Sequence, residues 1–386
     1  MKRNFKAESD LDSYFKNNIV VREFLSKEEI GLWNQNSQSY LTNTAFINHF
    51  EGLNKEETKP IYISYPKGHL FGHIIKLSGK KIGNYYAREK PCSLKRVLFS
   101  PISLYFFCFG NTHLSNVNYN INTEKLSINE LSEIIDVIQK KYDITFFLIP
   151  DHLYGELNEN ALKSHPNFHV FDSEPDMTLS LSPNWHTIYD YLNDINSKYK
   201  KRYRSIHRKS SSIHTIEINN ENFNSHRSNI NSLYQNVFVK SSFSGPPFNV
   251  SIFKSFFNDK HLGFKMIGYQ DQHNQLLSFS TYFIVDKTLY SYYMGLDYPM
   301  NSTYQLYNRM LYDMLEIGIR NRVNKVVYGR TAAELKSTIG AVPTPSTSAI
   351  YISNRILNVI LKPFVSKLAL KKWIQRDPFK SSYINA

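Results

Sequence analysis

Apolar positions in the first half of the chain switch between the two-residue period of strands and the 3.6-residue period of helices. Runs at 61–65 (IYISY), 71–77 and 97–109 predict strands. A helix is predicted over 128–142, where Ile128, Leu131, Ile134, Ile135, Ile138 and Tyr142 share one face, and Ser127 and Glu130 stand in capping-box spacing. The strand ITFFLIP follows at 144–150. The second half repeats this order. Strands at 264–270, 276–284 and 288–296 lead to a helix at about 303–320, with Tyr307, Met310, Leu311, Met314 and Leu315 inward and Ser302 and Gln305 in capping spacing. The strand KVVYG at 325–329, a short helix from 332 and the strand SAIYI at 348–352 complete it. Between the halves, Leu192, Ile195, Tyr199, Tyr203 and Ile206 form one helical stripe. The pattern predicts a mixed α/β protein of two related domains, 1–180 and 213–353, joined by a basic helical connector at 181–212 and followed by a tail at 354–386.

Length and composition agree with a folded chain of that size. At 386 residues, 41% apolar, 15% aromatic and 20% charged, disordered, collagen-like and coiled-coil readings are excluded. Charge adds something the pattern does not. The formal net charge is +13, and it sits in two segments. Residues 198–209 carry seven basic residues and no acid, and residues 355–380 carry seven (Arg355, Lys362, Lys367, Lys371, Lys372, Arg376 and Lys380) against one acid, Asp377. Both call for an anionic partner: phosphates, an acidic carrier protein or a lipid surface. The start, MKRNFKAESDLD, lacks the apolar stretch of a secretory signal, and no apolar run reaches the ~20 residues of a membrane span, so a cytoplasmic location is expected. Cys92 and Cys108 form no C-x-x-C pair and are expected in the core.

Common catalytic signatures are missing: no G-x-G-x-x-G after a strand, no phosphate-binding P-loop, no H-E-x-x-H and no G-x-S-x-G. His69 and His73, four apart without an acid between them, read as strand histidines, and no metal is expected. The most distinctive stretch is YGRTAAELKSTIGAVP at 328–343. Thr331 and Glu334 fit a capping box and Gly340 a helix stop. That account leaves Arg330, directly after a buried strand where side chains face a ligand crevice, and Lys336, for which a solvated position is the default.

Two stretches carry a resemblance. DMTLSLSPNWHTIYDYLNDINSKYKKRYRSIHRKS (176–210) is similar to a pattern of a strand, a Trp and a basic helix, and YGRTAAELKSTIG (328–340) to a G-R-[ST] motif followed by a Lys and a Gly. With the element order, these make residues 213–352 resemble the acyltransferase fold of the GNAT superfamily, in the tandem arrangement of the Fem-type peptidoglycan aminoacyltransferases. The first 175 residues match in element order only. The resemblance implies transfer of an acyl or aminoacyl group to an amine, with no bound cofactor and no metal. It implies two strands splayed to admit the donor, expected at 276–284 and 288–296, and a backbone N–H holding the developing oxyanion. Asp297 would serve as base and Tyr290 or Tyr292 as acid. Arg330, Thr331, Glu334 and Lys336, with Lys198, Lys201 and Arg202 of the basic helix, would meet donor or acceptor.

One departure bears on the donor. The family's glycine-rich pyrophosphate turn corresponds to PMNSTYQ at 299–305, which has no glycine. Acyl carrier protein or aminoacyl-tRNA thereby gains over acyl-CoA. The tail at 355–376 interleaves Lys with Ile, Leu, Val, Phe and Trp, with a kink at Pro363, and fits either an anionic membrane surface or a helix packed on the domain with its basic face in water. The membrane reading puts the protein at the inner face of the membrane, with an amino lipid or a cell-wall precursor as acceptor. Two alternatives stand beside the transferase: a nucleic-acid-binding protein using the 198–209 helix, and an inactive GNAT-like scaffold.

Overall fold

The computed structural model describes residues 18–51, 58–78, 103–122, 124–241, 246–344, 346–365 and 372–380. The start of the chain, Cys92, the 97–102 part of an expected strand and the 366–371 part of the tail lie outside them.

The first sheet runs in the order β1 (Val20–Arg22), β2 (Thr58–Tyr65), β3 (Gly68–Ser78), β4 (Ser103–Phe109), β6 (Phe146–Ile149), β15 (Thr347–Ile352) and β7 (Phe168–Asp172), with β5 (Asn120–Asn122) beside β3. The second runs β14 (Val342–Thr344), β8 (Asp176–Ser180), β13 (Lys325–Gly329), β12 (Thr288–Leu296), β11 (Leu276–Val285), β10 (Lys265–Gln270) and β9 (His214–Ile218). Both follow one plan. An antiparallel meander ends in a strand with a parallel neighbour (β4 beside β6, β12 beside β13), and a helical crossover joins the two, as a parallel pair requires.

The two sheets trade strands. β8, from the end of the first stretch of sequence, pairs with β13 and β14 in the second sheet. β15, near the end of the chain, fills the space between β6 and β7 in the first. The alternation of apolar residues marks these segments as strands but carries no information on which sheet receives them.

The helix Ile128–Tyr142 covers the first sheet with Leu131, Ile134, Ile135, Val137 and Ile138 buried against Ile61, Ile63, Phe107 and Phe147. Both bonds of the Ser127–Glu130 capping box are present. The helices Ile188–Asp194, Ser197–Lys209 and Leu306–Arg320 cover one face of the second sheet. The helices Phe223–Lys240 and Phe253–Phe257 pack in a core that also takes Trp33, Phe46, Phe50, Tyr62 and Phe71 from the first half. Each such side chain contributes about 1.5–3 kcal/mol on burial, so the halves are joined by a shared apolar core.

Three expected elements differ. The helix at 303–320 is two, Tyr298–Tyr304 and Leu306–Arg320, parted at Gln305 in the left-handed region (φ 57°). Its start is capped by Asp297, which accepts from the Met300 N–H at 3.0 Å, and Ser302 and Gln305 do not form the expected box. The Thr331–Glu334 capping box is also absent: the helix Ala333–Ser337 begins after Ala332 at φ 49° with no side-chain cap, and Glu334 accepts instead from Arg376 Nε at 3.1 Å. The connecting stripe is broken at Ile195, which bridges to Phe379.

Candidate functional site

β11 and β12 are joined by Asp286 and Lys287, both left-handed (φ 50° and 54°), the geometry of a two-residue hairpin turn. A hairpin zips from its turn, and these strands pair from Val285 with Thr288 out to Ser278 with Leu296. They are therefore not the parted pair expected from the sequence. The parting lies on the other edge of β12. β12 and β13 pair only over Thr288–Tyr290 with Lys325–Val327, after which β13 kinks and continues along β8, with Gly329 opposite Met177. The crossover helices let the parallel pair diverge where a hairpin could not.

A β-bulge sits at the same level. Tyr282 faces Ser291 and Ser280 faces Met294, so Tyr292 and Tyr293 together oppose Thr281. The buried Thr281 hydroxyl donates to the Tyr293 carbonyl at 2.7 Å and fixes the distortion. Beyond Tyr290, no strand among the described residues pairs with the β13 edge of β12, so the bulge borders a gap. Behind it, a Cβ at Gly295 would lie 2.7 Å from the Leu233 Cβ and 2.2 Å from the Phe279 ring, so the helix Phe223–Lys240 packs directly on this strand.

The first half of the chain reaches across the gap. Between β4 and β5, His113 Nδ1 lies 2.9 Å from the Tyr293 hydroxyl on β12, and Ser115 donates to Asp176 Oδ1 on β8 at 2.7 Å. β13 lies between those two strands, so this segment spans the mouth of the parting. Burial drives the His113 imidazole down to about 3, and it stacks on Phe50 at 5.8 Å. His73 lies behind it, centroids 6.3 Å apart, and burial holds it well below the usual histidine range. Nε2 of each is buried without a hydrogen-bond partner among the described residues, as is the Tyr292 hydroxyl.

The end of β13 forms a charged cluster. Arg330 donates to Asp151 at 2.8 Å and lies 3.5 Å from Asp176, and Ser346 donates to the other Asp151 oxygen at 2.9 Å. Burial alone would raise the Asp151 carboxyl, but Arg330, Ser346 and His152 outweigh it and leave it below the usual range. At Asp176 burial wins over Arg330, and that carboxyl is raised. Gly329, Thr331 and Ala332 all have positive φ (71°, 68° and 49°), a strained conformation for a β-branched threonine. Lys336 holds this turn from within. The residue is 3% exposed, and its ammonium donates to the carbonyls of Gly329 and Arg330 at 3.0 and 2.7 Å, where burial drives it down to about 7. The solvated position that is default for lysine is not the one it occupies.

Arg330 and Lys336 thus come together beside the parting, Thr331 is exposed in the turn, and Glu334 is turned to Arg376. Tyr290 is the last β12 residue paired with β13, stacks on Phe283 at 5.1 Å, and its phenol is pushed up to about 12 by burial. Tyr292 is in the bulge. Asp297 caps the next helix. On the basic helix Lys198 and Lys201 are exposed, while Arg202 donates to Asn308 at 2.9 Å. The helix lies against Tyr298–Tyr304, whose first turn already donates the Met300 N–H to Asp297, so an anion would meet that carboxylate where a glycine-rich turn would offer open N–H groups. Sequence does not single out Asp151, Asp176, His113, Ser115 or Tyr293, and it reads His73 only as a strand histidine, which it is, on β3. Asp151 alone left a trace: it follows β6 as Arg330 follows β13, at equivalent places in the repeated order.

The strand order decides the fold: a meander, a helical crossover and a parallel partner that diverges beside a bulge. The plan is that of two GNAT-like domains in tandem. Among solved structures, this chain is similar to FemX at 11% identity over 88% of this chain and 99% of that one, with a TM-score of 0.49. It is similar to Saccharomyces cerevisiae N-myristoyltransferase with bound myristoyl-CoA at 10%, over 89% and 84%, with a TM-score of 0.49. The corresponding values for L-PGS from Bacillus licheniformis are 9%, 89%, 98% and 0.46. No family model matches the chain, and no curated protein sequence does. Among the described residues, no group of His, Cys, Asp and Glu is arranged to hold a metal ion, and no helix is long and apolar enough to cross a membrane.

Proposed function

We propose that this protein is an N-acyltransferase that moves an acyl or aminoacyl group from an activated carrier to an amine. The observation that carries the reading is the bulge at Tyr292–Tyr293 beside the divergence of β12 from β13. The activated carbonyl enters the gap and its oxygen accepts from a bulge N–H, a preorganised donor of the kind worth ~3 kcal/mol in the transition state. The amine nitrogen attacks the carbonyl carbon, forming the C–N bond as the bond to the carrier's sulfur or oxygen breaks. The amine loses a proton to a base, for which Asp297 is the candidate, and the leaving group takes one from Tyr292, whose buried phenol is protonated at the start of the step and regains its proton from solvent after product leaves. Tyr290 packs the entrance, and Arg330 and Lys336 set the position of the β13 edge.

The donor is a macromolecular carrier, acyl carrier protein or aminoacyl-tRNA, in preference to free acyl-CoA. Two features support this: the Asp297 cap on the turn that would hold a pyrophosphate, and the exposed Lys198 and Lys201 beside that turn. The test incubates the full chain with each of the three donor classes and a panel of amines, and reads acylated product by mass spectrometry. Product from a carrier-bound donor, falling in Arg330→Ala, is expected. Absence of product with all three donors would leave an inactive scaffold, and salt-sensitive nucleic-acid binding without product would favour the nucleic-acid alternative.

A further inference from the structure

The helix Arg355–Val365 is attached to the first sheet in the reverse of the usual sense. Its inward stripe is Asn358, Leu361 and Val365, and the deepest contact is polar. The buried Asn358 amide donates to the Pro166 carbonyl at 3.1 Å and to Asn167 Oδ1 at 3.0 Å, and its oxygen meets His169 Nε2. Outward, at the i, i+3, i+4 and i+7 spacing of a single helical face, stand Ile356, Val359, Ile360 and Pro363. Ile356 and Val359 are each 72% exposed and Ile360 is 53% exposed. A soluble helix ordinarily buries such a stripe. Of the twelve large apolar side chains exposed among the described residues, four lie on this helix (Leu357 is the fourth), so the patch is a concentration and not scatter.

The charges around the patch choose its partner. Arg355 and Lys362 are exposed at the two ends of the helix, Lys372 is exposed in the segment that follows, and residues 355–380 hold seven basic side chains against one acid. A second copy docking about a two-fold axis would set this patch on itself and oppose like charges. An anionic bilayer surface accepts both parts, the Ile and Val side chains entering the headgroup boundary and the basic side chains meeting lipid phosphates.

We infer that the helix Arg355–Val365 seats the protein on an anionic membrane surface, lying in its plane with Ile356, Val359 and Ile360 inserted. The inference is independent of the transfer chemistry. The test is co-sedimentation of the full chain with phosphatidylcholine vesicles, with and without phosphatidylglycerol. Binding is expected with phosphatidylglycerol, weakened by salt, and at least ~10-fold weaker in Ile356→Glu/Val359→Glu/Ile360→Glu, whose altered side chains are all exposed. Arg355→Glu/Lys362→Glu should weaken binding while leaving the apolar face intact. The inference is overturned by absence of binding to phosphatidylglycerol vesicles, by binding that the triple variant retains, or by a dimer in solution that the triple variant converts to monomer, which would make the occupant a second copy.

Discussion

Lys336 sits in an environment far from the ordinary one of a lysine. Its amine works against burial to satisfy two carbonyls that the left-handed turn at Gly329, Thr331 and Ala332 points inward. The group titrates near 10.5 when solvated and near 7 in the fold. Between those values the unfolded chain binds the extra proton, so stability rises with pH across that window, by at most ~1.4 kcal/mol per pH unit, and is flat below about 7. Replacing it by an isosteric apolar side chain removes that dependence. The stability difference between native protein and Lys336→Met, from urea midpoints, should therefore grow by more than ~1 kcal/mol from about pH 7 to pH 9; a difference independent of pH would mean the amine stays charged in the fold. Sequence pointed to Arg330 and Lys336 as neighbours in one motif. Their partners Asp151 and Asp176 were out of reach, because a pairing between positions 151 and 330 depends on how two sheets meet.

At the scale of elements, local pattern set the strands and helices well where apolar period and capping chemistry agreed. Ser127 and Glu130 start their helix as the spacing predicts, and the strand KVVYG has the expected limits. The same spacing misled at Ser302–Gln305 and Thr331–Glu334. A capping box is a local option, and in the first case Asp297 with Pro299 caps the chain earlier, while in the second the turn is held by Lys336 from behind. The sequence places the parting in the hairpin, because period alone does not distinguish an antiparallel neighbour from a parallel one. The bulge on β12 gives the sharpest prediction at this scale. Thr281→Val deletes the hydroxyl that holds the Tyr293 carbonyl and keeps the side-chain shape. Under the transferase reading, turnover should fall ~10–100-fold with KM changed less than ~3-fold. An unaltered kcat would separate the bulge from the chemistry.

Over the whole molecule, the tandem plan was legible in the repeated order of elements, but the trading of β8 and β15 was not, since both strands look alike from either side of the seam. The trade makes each half incomplete alone. A fragment of residues 1–180 lacks β15, leaving β6 and β7 as unpaired edges. It should aggregate or unfold without a cooperative transition, and co-expression with residues 181–386 should restore solubility; a soluble 1–180 monomer with its own sharp melting transition would contradict this. The traded strand also sets a timetable. β7 leaves the ribosome about 175 residues before β15, which at ~5–20 residues per second is ~10–35 s. Throughout that interval the nascent first sheet has a slot shaped for one particular strand and nothing to put there, so the N-terminal half cannot close until most of the second half has been made, and chaperones that shield open sheet edges have a long opportunity on this chain before β15 emerges.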